Sequence, residues 1–169
     1  MSAPTVTTAQ ITERVLVSIE ALTPTSGPSS GFGAAFTRHS DRTTKIENVT
    51  DPGRLRLLEA KIESPKIGTF SAAPGTSKAN FSGTLAIKIG YSMEVWETLD
   101  DEVEYFIQDF IDQDVEQIRR LLDVGNIFAA SGDLSELPGV KLHRFESSTI
   151  EAGGKVNVIR YSIHYGRGY

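Results

Sequence analysis

The stretch SGTLAIKIGYSM, residues 82 to 93, constrains the fold more than any other part of the chain. Leu85, Ile87, Ile89, Tyr91 and Met93 share one side of an extended backbone, and Ala86, Lys88, Gly90 and Ser92 share the other. Side chains alternate between the two faces of a strand. This period of two therefore predicts a half-buried strand with one face on a core.

Two amphipathic helices are available to cover that face. Thr7 or Thr8 is placed to cap the first, which is expected to run to about Ala21. Ile11, Val15, Ile19 and Leu22 give it one apolar stripe, and Thr23-Pro24 ends it because proline cannot continue the hydrogen-bond ladder. The second and longer helix is expected over 99–123. Asp100, Asp101, Glu102 and Glu104 lie at its start and Arg119 and Arg120 near its end, an order that complements the helix dipole. Its apolar face holds Val103, Phe106, Ile107, Phe110, Ile111, Val115, Ile118, Leu121 and Leu122. Asp112-Gln113-Asp114 dents that face, so a kink or a break is expected there.

The remaining segments read as strands and loops. Thr43 to Thr50 is expected to be a short strand or extended piece, followed by the turn Asp51-Pro52-Gly53. In RLRLLEAKIES, 54 to 64, the alternation slips between Leu57 and Leu58. A bulged strand would produce that slip, and a short helix would also gather Leu55, Leu58 and Ile62; the strand is preferred. Gly-, Ser- and Pro-rich loops are expected at about 24–42 and 64–82. Val140, Leu142 and Phe145 open a closing hairpin, Gly153-Gly154 turns it, and Ile159, Tyr161, Ile163 and Tyr165 set the phase of its last strand over 155–165. The GRGY end is then a frayed strand end or a small contact. The expectation is a single α+β domain over 1–169. Its mostly antiparallel sheet has about four or five strands, with the long helix and the N-terminal helix packed on one face.

Composition narrows the function. The 169 residues include no cysteine, which removes disulfides and thiolate metal sites and fits a reducing compartment. The net charge is -5, a poor match to nonspecific DNA binding, and Arg54 with Arg56 is too small a basic spot to change that. No apolar run reaches membrane-spanning length, and Met1 to Thr8 lacks the features of a signal peptide.

Candidate chemistry is sparse. His39, Ser40 and Asp41 are consecutive in FTRHSD, and neighbours in sequence splay apart rather than converge as a triad must. His143 and His164 lie on the closing strands and would face each other there, although a metal would need a third ligand. The acids at 100–104 are explained by the helix dipole. Asp109, Asp112 and Asp114 read as a solvated face rather than a Mg²⁺ site. PGTSK, 74 to 78, and GFG, 31 to 33, fall short of nucleotide-binding motifs. Tyr91, Tyr161 and Tyr165 lack the basic interleaving of a base-stacking surface. No catalytic residue, cofactor or metal is expected.

The order of elements carries a family resemblance. The ITERVLVSIEAL opening, the strand end at Ile87, Ile89 and Tyr91, the helix 99–123 and the closing RYSIHY strand resemble the tail-terminator and neck proteins of tailed bacteriophages. The resemblance implies a structural virion subunit, not an enzyme, that is made in the host cytoplasm. It would form a homohexameric ring at the head-proximal end of the tail. Its partners would be tail-tube protein and head or neck connector proteins, with DNA only in transit. The expected assembly contacts are Arg160, Ser162 and His164 on the outward side of the last strand, with Phe32 and Phe70 in the two loops. The alternatives are another neck, head-completion or minor tail subunit, a cytosolic binding module, or an enzyme.

Overall fold

The computed structural model describes residues 6–24, 35–40, 43–48, 56–67, 78–91, 103–151 and 156–168. It shows an α+β fold. The elements run α1 (Thr8–Glu20), β1 (Phe36–Arg38), a 3₁₀ turn (Ile46–Asn48), β2 (Arg56–Ile67), β3 (Lys78–Tyr91), α2 (Val103–Val124), β4 (Lys141–Glu151) and β5 (Val156–Gly168). The five strands form one sheet in the order β1-β2-β3-β5-β4. Among the described residues, β1 pairs with β2 in parallel, and the pairings β2–β3, β3–β5 and β4–β5 are antiparallel.

The alternation in β3 sets the register of the sheet. Leu85 lies opposite Tyr161 of β5, and Ile87 opposite Ile159. On the other side of β3, Leu58 lies opposite Ile89 and Arg56 opposite Tyr91. These apolar residues join one buried cluster with Ile11, Val15 and Ile19 of α1 and Ile111, Ile118 and Leu122 of α2. Each fully buried Leu or Ile contributes about 1.5–3 kcal/mol relative to exposure. α1 is held at its start by a reciprocal capping box, in which Thr7 Oγ1 accepts from Gln10 N and Gln10 Oε1 accepts from Thr7 N.

The structure revises several expectations. The phase slip at Leu57–Leu58 is not a bulge. Leu57 and Leu58 point to opposite faces and both are buried, because the second face carries its own cluster of Ile46, Leu57, Ala86, Val156 and Val158. The bulge in β2 lies later, between Glu63 and Lys66. There Pro65 costs no regular ladder bond, so β2 continues to Ile67. β3 already begins at Lys78, so the loop expected over 64–82 shrinks to the link between these strands. The loop expected over 24–42 contains β1. The extended piece expected over 43–50 is a 3₁₀ turn at Ile46–Asn48, which lays Ile46 on the second cluster. α2 is one continuous helix through Asp112-Gln113-Asp114. β5 runs to Gly168, opposite Lys78, rather than fraying after Tyr165. No helix among the described residues is long and apolar enough to cross a membrane.

Gly90 shows how closely the second face is packed. A Cβ there would stand 2.7 Å from Ile46 Cγ1. Gly90→Val should therefore destabilise the fold by about 1–3 kcal/mol, the usual cost of overpacking. Urea titration checks this, and an unchanged midpoint would contradict the packing described.

Candidate functional site

Among the described residues, a buried ionic cluster, a cleft beside β1 and the outward side of the β4–β5 hairpin combine polar side chains with defined geometry.

The buried cluster joins α2 to the sheet. Asp114 Oδ2 accepts from Arg56 Nε at 2.7 Å and from the Tyr91 hydroxyl at 2.7 Å. Arg56, Tyr91 and Asp114 are at most 2% exposed. The Arg56 guanidinium also lies 5.7 Å from the Phe36 ring centroid. Burial pushes the Asp114 carboxyl up from the usual range, against the opposing pull of Arg56 and then the Arg56 and Tyr91 hydrogen bonds. Burial, reinforced by Asp114, raises the Tyr91 hydroxyl well above its usual range, so it stays a proton donor. The expected solvated acidic face is thus wrong at Asp114, although Asp112 is exposed. The dent in the helix pattern marks an inward ion pair. Further along α2, the Tyr161 hydroxyl donates to Asp123 at 2.9 Å, and Arg119 stands 4.0 Å over the Phe145 ring. α1 supplies a second anchor that its apolar stripe did not reveal. Arg14 is 6% exposed and its guanidinium donates to the backbone carbonyls of Ile127, Ala129 and Ser135.

The cleft, of about 630 Å³, is lined by Arg38, His39, Ser40, Thr43, Thr44, Lys45 and Glu59. Arg38 is bound to Glu13 at 2.5 Å and Glu20 at 2.8 Å, both on α1. The His39 side chain is 2% exposed. Its Nε2 lies 2.7 Å from the Thr44 carbonyl oxygen, which only accepts, so Nε2 carries the proton. Its Nδ1 is buried without a hydrogen-bond partner. Asp41 lies outside the described residues, so the FTRHSD stretch brings together Arg38, His39 and Ser40 but shows no relay.

The hairpin surface holds three of the expected contact residues. Arg160 is tied down within the chain, to Thr149 Oγ1 at 3.0 Å, Glu151 at 3.2 Å and Glu63 at 3.7 Å. It therefore links three strands and is not a free cation. The Ser162 hydroxyl reaches the Arg144 carbonyl at 3.4 Å. His164 is exposed and its ring centroid lies 5.3 Å from that of His143, also exposed. Phe32 and Phe70 lie outside the described residues.

The two ends of the sheet differ from its middle. β4 bonds only to β5, so along its 11 residues the outer edge has no strand partner among the described residues. At the other end β1 covers only Arg56, Leu57 and Leu58, so β2 from Glu59 to Ile67 also lacks an outer strand among the described residues. Edges of this kind offer unpaired backbone groups to another chain.

No family model matches the chain, and no curated protein matches it.

Removing Asp114 would take away the carboxylate that faces the buried Arg56 guanidinium at 2.7 Å. Asp114→Ala should cost about 3–5 kcal/mol in urea unfolding, whereas Arg56→Met, Tyr91→Phe and Asp114→Leu together should recover most of that loss. A small effect of Asp114→Ala would show that the pair is solvated.

Proposed function

We propose that the protein is a structural virion subunit of the tail-terminator kind, assembling head-to-tail into a ring that caps a phage tail tube. The observation that supports this most is that the two opposite ends of one sheet have edges with no strand partner among the described residues. A cyclic ring needs a heterologous interface, in which one patch on a subunit meets a different patch on the next. An 11-residue edge on β4 and the outer part of β2 are two such different patches. Pairing by strand addition would supply backbone hydrogen bonds, and the side chains flanking each edge would select the partner. The element order on which the family resemblance rests is consistent with the same reading. The faces of the ring would meet tail-tube protein on one side and head or neck connector proteins on the other. A net charge of -5 per subunit would keep transiting DNA from adhering.

The cleft at His39 favours a second reading, a binding module for a small ligand or peptide, because it pairs a sizeable volume with a buried, partly unsatisfied imidazole.

Glu146 separates the two. It is the extra residue where the β4–β5 register shifts between Phe145 and Ser147, so it has no register partner on β5, and proline is tolerated at such a bulge better than in a regular ladder. Purified protein is expected to form rings by light scattering and electron microscopy and to arrest tail-tube growth at a fixed length. Glu146→Pro should stay folded by circular dichroism yet fail to form rings. A wild-type monomer that leaves tube growth unchanged would overturn the proposal in favour of the binding module.

A further inference from the structure

We propose that His143 and His164 form a chelating site for a first-row divalent transition metal of the zinc class. The hairpin register brings them together. His164 lies opposite Lys141, and the shift between Leu142 and Arg144 makes His143 the extra residue that leans towards it. The two rings are 5.3 Å apart between centroids and inclined by 33°, so they are not stacked flat. Two imidazoles on one tetrahedral zinc, each nitrogen at ~2.0–2.1 Å, place their centroids about 5 Å apart. The observed spacing is thus close to that of a chelate before any metal arrives.

Other features of the chain sharpen the case. Imidazole suits zinc, copper and nickel, and the chain has no cysteine thiolate to compete for them. The third histidine, His39, is buried and spends Nε2 on a backbone carbonyl. Accessible imidazole is therefore concentrated at one point on the surface. No group of three or more His, Asp or Glu residues is placed to hold a metal among the described residues, so the pair would fill two coordination positions and leave the others for ligands from outside it. The site is an open one, able to accept a further ligand from outside the chain. It rests on the geometry of one subunit and stands whether or not the ring forms.

Zinc titration of the full chain by calorimetry at neutral pH tests this. One zinc per chain is expected. His143→Ala and His164→Ala should each fall to the level of the double variant, since one imidazole is not a chelate. Ring-proton NMR of the unaltered protein gives a readout that does not depend on variants folding: the signals of His143 and His164 should shift together and that of His39 should stay. Zinc heat no greater than that of the double variant, a single variant that binds as well as the original, or movement of the His39 signal alone would overturn the proposal.

Discussion

Asp114 is the point on which the packing of α2 depends. One carboxylate oxygen takes hydrogen bonds from β2 through Arg56 and from β3 through Tyr91. Apolar contacts alone are forgiving of a helix that slides or rotates by a fraction of a turn. A buried ion pair is not, because each charge loses its water and the opposite charge offsets that loss only in a narrow range of geometry. The pair therefore contributes little net stability compared with apolar residues of the same volume, but it penalises every misdocked arrangement of the helix. Its placement beside Phe36, next to the short parallel strand, extends that constraint to β1.

The same constraint explains what was legible in the sequence and what was not. β3 and β5 were readable because their alternation is complete and one face is continuous from Leu85 and Ile87 to Ile159 and Tyr161. The first helix was readable from its cap and stripe. β2 was harder because burial on both faces erases alternation: Leu57 and Leu58 serve different clusters, and the pattern looks like a slip. Asp114 looked like a solvent-facing acid because its partners lie 58 and 23 residues away, and no local pattern announces a pairing at that distance. Arg14 was hidden for the same reason, since its three carbonyl acceptors lie beyond residue 126. The 3₁₀ turn was missed because Ile46 is recruited by the space above Gly90, a tertiary vacancy that propensity does not record.

The candidate surface was legible in part. Arg160, Ser162 and His164 do lie on the side of β5 opposite Ile159, Tyr161, Ile163 and Tyr165, as period two requires, while Val156 and Val158 on their own side are buried in the second cluster. What period two does not supply is occupancy. Arg160 is already satisfied by β2 and β4 neighbours, so its role is to stitch three strands, and the outward chemistry of the hairpin passes to His164 and His143.

The shape of β4 bears on how such a surface stays selective. A long, flat edge would pair with any exposed strand and lead to open-ended aggregation. β4 is interrupted twice, between Leu142 and Arg144 and between Phe145 and Ser147. Each irregularity adds twist and removes one rung from the regular spacing of edge donors and acceptors. Charged or polar residues at Lys141, Arg144, Glu146 and Glu151 add a desolvation cost that only a complementary neighbour offsets. An edge of this kind rejects a generic strand while remaining open to one with matching bends. That combination would suit the proposed ring, because closure requires each interface to form at one angle only.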